Sequence, residues 1–279
     1  MAAIVDHKSS STIHALAIGN NGAGKTGALI SLAEAGYRLR ILDFDGGTEI
    51  LAQYAKQAKV PVDIDVETFV DKYEPQAVTG ALRPVPNCNA FELGMKCLKS
   101  WPKYGSPLTW TPRDVLVVDS LTFMGKATMN HVARMKGKLV SVNPVDLHPS
   151  QPDWGDAMGL QENFLAMLMG LPCNVIVNSH VTFLTPDGES SQQGFPSALG
   201  NKLPPKVGSY FNTILYFTKE GVGANKKRII STKQSSLVDT KTPAPGKVAE
   251  KYDLSDGLAK YFAALLGPLK VEEPANAKA

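Results

Sequence analysis

The chain has 279 residues, 43% of them hydrophobic and 20% charged. That is enough for one substantial domain, and it excludes both a largely disordered chain and a disulfide-built miniature. Its 29 basic and 26 acidic residues leave a formal charge of +3, so the molecule as a whole is no polycation. No run approaches the roughly eighteen uncharged apolar residues of a membrane-spanning helix. Cys88, Cys97 and Cys173 have neither metal-site spacing nor an even count, and read as thiols in a reducing cytosol. Met1 to Ser11 carries Asp6, His7, Lys8 and a serine run with no apolar signal core, so the expected location is the cytoplasm.

The first element is an apolar run, Ile13 to Ile18, that reads as a buried strand. Gly19, Asn20, Asn21, Gly22, Ala23, Gly24, Lys25 and Thr26 follow it and fit the phosphate-binding pattern G-x-x-x-x-G-K-[ST]. Gly27 to Ala35 then carries Leu29, Ile30, Leu32 and Ala33 in a helix that Gly36 stops. Strand, glycine loop and helix are the context this motif needs. Glycines let successive backbone N–H groups converge on phosphate oxygens, and the helix start adds the positive end of its dipole. Lys25 can reach the outer phosphates, and the Thr26 hydroxyl can hold Mg²⁺.

Leu39 to Phe44 reads as the second strand, with Asp43 and Asp45 at alternate positions near its end. Two uses are open for these acids: activating water at a phosphate, or capping a helix that begins near Glu49. A proline-rich stretch from Pro61 to Pro112, with Trp101 and Trp110, reads as an insert. Asp114 to Asp119 is an apolar strand closing on a carboxylate, the form of a Walker B strand that orders the water shell of Mg²⁺. Ser120 follows it instead of Glu, which makes ATPases with a glutamate beside that aspartate a poor match. A GTPase is also a poor match, because no D-x-x-G ends the strand and Asn201-Lys202-Leu203-Pro204 lacks the aspartate that reads guanine.

Leu121, Met124, Thr128, Val132 and Met135 recur at helical spacing as a core stripe. Off that stripe lie Lys126, Arg134, Lys136 and Lys138, with no acid between Ser120 and Val145. A loop from Val140 to Pro152 precedes a helix from Trp154 to Met169, and Asn174 to His180 reads as a strand with a polar end. Thr185 to Ser209 is a long polar loop. Thr213 to Thr218 and Lys226 to Lys233 form a hairpin about Gly221 and Gly223, and Ser255 to Leu266 is a closing helix before a polar tail from Glu272 to Ala279. Lys219 to Lys251 holds eight basic residues against three acids. For this segment, as for Ser120 to Val145, a polyanion surface and a solvated face are both open.

The glycine loop, its helix and then Ile41-Leu42-Asp43-Phe44-Asp45-Gly46 resemble the RecA-type ATPase core. Together with Asp119-Ser120, Trp154-Gly155-Asp156, His180 and Ser197 to Lys202, they resemble the phage RecA-like ATPases of single-strand annealing and recombination, over about residues 12 to 245. The resemblance implies one α/β domain, a mainly parallel sheet flanked by helices, with the core in 1–250 and a C-terminal helix and tail in 251–279. It implies ATP and Mg²⁺, with Gly19 to Thr26 on the nucleotide and Thr26 and Asp119 on the metal. Asp45 matches the catalytic glutamate, and the shorter acid implies slow hydrolysis. His180 matches the γ-phosphate sensor. Lys233 falls where hexameric RecA-fold motors place a basic finger acting in trans, although Lys233-Gln234-Ser235 lacks the arginine of their K-x-R. Lys136, Lys138, Lys202 and Lys206 would meet phosphates of single-stranded DNA, and Phe183 and Phe195 would stack on its bases. The implied partners are single-stranded DNA, further copies in a ring or filament, and a single-strand binding protein, with no membrane. A helicase-like motor or loader and a nucleotide-gated scaffold are the alternatives.

Overall fold

The computed structural model describes residues 11–76, 80–140, 148–185, 190–223 and 226–269. The chain enters through β1 (His14–Gly19), and after the glycine loop come α1 (Lys25–Ala28) and α2 (Ile30–Glu34). β2 (Arg38–Asp43), α3 (Glu49–Gln57) and β3 (Asp63–Thr68) follow, then the hairpin of β4 (Tyr73–Pro75) and β5 (Leu82–Pro84), and α4 (Ala90–Lys99). β6 (Asp114–Asp119) leads into α5 (Leu121–Met135), and α6 (Gln151–Met169) into β7 (Asn174–Ser179). A second hairpin, β8 (Val181–Leu184) and β9 (Gln193–Pro196), precedes the single turn α7 (Pro204–Val207). β10 (Thr213–Glu220), β11 (Lys227–Ser231), β12 (Lys251–Asp253) and α8 (Gly257–Leu266) complete the fold.

Eight strands make one sheet in the order β12-β11-β10-β1-β7-β6-β2-β3. From β10 to β3 every pairing is parallel, and β10, β11 and β12 pair antiparallel. A parallel sheet needs helices on both faces, so its central strands read as continuous apolar runs. β6 and β7 are buried at every position. Alternation then sorts their side chains between two cores. Leu16, Leu42, Leu116, Val118, Val175 and Val177 meet α4, α5 and α6. Ala15, Ala17, Leu39, Ile41, Val115, Val117 and Ile176 meet α1, α2 and α8.

The stretch 61–112, expected as an insert, contributes the edge strand β3 to the main sheet, and its Trp101, 1% exposed, lies in the core. The Trp101 ring packs 5.7 Å from that of Trp110, and its Nε1 donates to Asp65 at 2.6 Å. The segment after residue 250 also packs on the sheet. β12 extends the sheet beside β11, and Leu258, Tyr261 and Phe262 of α8 are buried, with Phe262 edge-on to Tyr37 at 5.4 Å.

Smaller differences have local causes. Met135, expected in the core stripe of α5, is 69% exposed at the helix's last residue. α6 begins at Gln151, ahead of Trp154, with Ser150 before it and Pro152 in its first turn, where a proline's missing N–H costs nothing. The stretch expected as one loop from Thr185 to Ser209 contains β9 and α7. Most of the loop expected from Val140, together with the chain ends, lies outside the described residues. Among the described residues no helix is long and apolar enough to cross a membrane.

Candidate nucleotide site

The glycine loop joins β1 to α1 at the C-terminal edge of the parallel strands. Gly22 at φ 69° and Gly24 at φ 100° have backbone that side-chain-bearing residues rarely adopt. A Cβ on Gly24 would also lie 2.4 Å from Leu254. The loop is thereby held open as a cradle of backbone amides. Lys25 is 7% exposed and donates from Nζ to the Gly19 carbonyl at 2.7 Å and the Asn20 carbonyl at 3.3 Å. Burial lowers its pKa, and the charges of Asp119 and Asp45 work the other way.

Thr26 donates its hydroxyl to Asp119 Oδ2 at 2.6 Å, although 93 residues separate them. The parallel order makes this contact, because β7 alone separates β1 from β6 and their ends come level. Asp119 is 2% exposed, and its peptide to Ser120 is cis. Burial raises its pKa, against the stabilising hydrogen bond from Thr26.

The two acids at the end of β2 separate in role. Asp43, 1% exposed, accepts from the backbone N–H groups of Asp45 and Gly46 at 3.2 and 2.8 Å, and from the hydroxyls of Thr48 and Thr68 at 3.1 and 3.3 Å. It shapes the turn. Asp45 instead faces the cavity of the glycine loop. Burial first, then the charges of Asp119 and Asp43, push its pKa up to about 7, against one N–H from Gly47.

His180 follows β7 and lines the same cavity. Its ring stands edge-on to Phe123 at 6.0 Å, and burial together with the Lys25 charge lowers its pKa. Its backbone N–H donates to Thr122 Oγ1 at 3.2 Å, and its carbonyl accepts from Ser197 N–H at 2.8 Å. The stretch starting at Ser197 is therefore tied to the cavity wall.

The cavity encloses about 290 Å³ and gathers Lys25, Thr26, Asp45, Asp119 and His180. Ile50, Tyr54, Arg228 and Leu254 also line it, and sequence reasoning assigned none of them to a site. The i, i+4 spacing of Ile50 and Tyr54 on α3 was the available signal for those two. Arg228 was visible only as one charge in a basic segment. Leu254 arrives by tertiary folding alone.

The other expected residues lie elsewhere. Lys233 lies two residues past the end of β11 and pairs with exposed Glu250 at 3.0 Å. Lys136 and Lys138 both clamp Asp153, at 2.8 and 2.5 Å, and Lys206 pairs with Glu162 at 3.6 Å. Phe183 on β8 is 38% exposed, and Phe195 on β9 is half-buried.

The donor set fits a magnesium-bound triphosphate. A glycine-rich loop, one buried ammonium and a hydroxyl–carboxylate pair suit phosphates and a hard, oxygen-preferring cation. A P-loop between a strand and a helix, with the Asp119 carboxylate on the next strand but one of a mainly parallel sheet, is the arrangement of a P-loop NTPase domain. The chain belongs to the AAA domain family, whose sequence model matches residues 11–244. Among solved structures it is similar to a KaiC-like protein from the hyperthermophilic archaeon Pyrococcus horikoshii, at 13% identity and TM-score 0.42, covering 86% of this chain and 84% of that one. It is also similar to the flagellar accessory protein FlaH from Methanocaldococcus jannaschii, at 10% identity, the same coverage and TM-score 0.42. The RadB recombinase is a third, at 15% identity and TM-score 0.40, over 78% of this chain and 79% of that one. No curated protein matches the sequence.

Proposed function

We propose that this protein is a Mg²⁺-dependent ATPase acting on single-stranded DNA in phage annealing or strand exchange, assembled with further copies as a ring or filament. One observation carries the enzymatic reading: Asp45, the acid expected to activate water, faces the same cavity as Lys25, Thr26 and Asp119. The glycine-loop amides and Lys25 bind the phosphates and offset their charge, the principal catalytic contribution in phosphoryl transfer. Thr26 and Asp119 would hold Mg²⁺, which when bound supplies charge neutralisation at the outer phosphates. Asp45 orients the attacking water and accepts its proton, a role suited to a carboxyl whose pKa lies near 7. His180, held neutral by burial, senses the terminal phosphate through its ring.

The DNA reading is supported by the link from His180 to Ser197 and by exposed Lys202, which forms no ion pair among the described residues. Phe183, in the strand starting immediately after His180, offers a stacking face. A single-strand binding protein is the partner we propose would hand over the DNA. Steady-state hydrolysis with and without oligothymidylate tests the reading. Lys25→Ala abolishes nucleotide binding and turnover, whereas Asp45→Asn retains binding and lowers kcat roughly 100-fold or more. Parent-rate hydrolysis by Asp45→Asn would remove the acid from the mechanism.

A further inference from the structure

The lysines expected to meet DNA are mostly engaged with carboxylates, and the molecule's free positive charge collects elsewhere. Lys219 is the last residue but one of β10, Lys226 immediately precedes β11, and Lys227 and Arg228 open it. All four are exposed, and none forms an ion pair among the described residues. They line one groove of about 570 Å³ together with a single carboxylate, Asp253.

Three features separate this groove from an ordinary solvated face. Lys219 and Arg228 are direct cross-strand partners, and like charges facing each other across a ladder are destabilising. The neighbouring register pair, Glu220 and Lys227, has the right charges to neutralise itself, yet Glu220 binds Lys251 at 2.8 Å and leaves Lys227 free. Arg228 and Leu254 border both this groove and the nucleotide cavity, and the Lys219 ammonium lies 3.3 Å from where a Cβ on Gly22 would stand. The groove therefore runs continuously from the mouth of the phosphate loop.

We infer that this groove is a binding track for the phosphodiester backbone of single-stranded DNA, its cations neutralising successive phosphates without reading bases. The inference deepens the proposed DNA-dependent function and rests on it. An open groove with four unpaired cations and a single carboxylate suits a linear polyanion. Such contacts displace counterions, so each lost lysine takes about 0.7 from the slope of log affinity against log salt concentration.

The test is fluorescence anisotropy of a fluorescein-labelled oligothymidylate against the full chain, with an ATP analogue, over a series of salt concentrations. Lys226→Ala/Lys227→Ala is expected to weaken binding and to lower the magnitude of the salt slope by about 1.4. Lys226→Arg/Lys227→Arg keeps the parent slope. Fluorescent ATP-analogue binding, measured in parallel, stays at the parent value in both variants. A double-alanine variant with the parent's affinity and slope overturns the groove and leaves the DNA reading standing. A parent that binds no oligothymidylate at low salt overturns both, while the nucleotide measurement still reports on the ATPase. Loss of self-association in sedimentation with an unchanged slope also overturns the inference, and makes the groove a contact between copies of this chain.

Discussion

Asp45 occupies a position where catalysis and stability pull in opposite directions. Its carboxyl is shielded from water and faces Asp119 and Asp43, so its folded pKa is about 7 against an ordinary 3.8. Between those values the folded protein binds this proton more tightly than the unfolded chain does. The group's contribution to stability is therefore fully present below about pH 4, and it is lost as pH rises through about 7. Asp45→Asn, without nucleotide or metal, should melt above the parent at pH 8, with the gain shrinking towards pH 4. Thermal scans across that range check it, and a variant no more stable than the parent at pH 8 counts against the crowded-acid picture. The phosphate loop and the acids of this cavity were legible in the sequence because their patterns are local: eight consecutive residues, or a carboxylate closing an apolar run. Asp43 and Asp45 sit in the same local pattern, and only the positions of Thr48, Thr68 and the cavity separated their roles.

Among the elements, the start of α6 shows how one carboxylate can organise several others. Asp153 has a side chain 3% exposed. Burial alone would raise its pKa, but Lys136, Lys138 and the Ser150 N–H and hydroxyl outweigh that and hold it well below the ordinary range. Its stabilising effect is thus present above about pH 4 and falls away in acid. Asp153→Asn removes two ion pairs and weakens the cap, with an expected loss of about 2 kcal/mol and a fall in Tm of roughly 4 to 8 °C at pH 7. An unchanged Tm would mean that the clamp contributes nothing. The sequence placed this helix start late because Pro149 and Pro152 read as loop. A proline in the first turn beside a serine cap is instead a normal helix beginning. The same clamp explains why Lys136 and Lys138 looked like free cations: in sequence they stand 15 or more residues from their carboxylate.

At the scale of the whole molecule, the sheet is closed by the segment that seemed peripheral. α8 buries Leu258, Tyr261 and Phe262 against α2 and the sheet. At about 1.5 to 3 kcal/mol for each large apolar side chain, the loss would rival the whole stability of a typical domain, about 5 to 15 kcal/mol. A chain ending at residue 250 should therefore lose its cooperative unfolding transition, as read by calorimetry or urea titration. Retention of a sharp transition near the parent midpoint would make α8 an accessory. The amino-acid order by itself was enough for the strand–loop–helix phosphate site, the buried strands and the α/β class, since each is written within a few turns of chain. Folding in three dimensions decided the rest. It made Asp63–Thr68 an edge strand of the sheet, brought Arg228 and Leu254 to the nucleotide cavity, paired Lys136, Lys138 and Lys206 with carboxylates, and left the hairpin cations unpaired. Those outcomes depend on which strands become neighbours, and contacts between residues far apart in sequence leave no periodic trace in either segment.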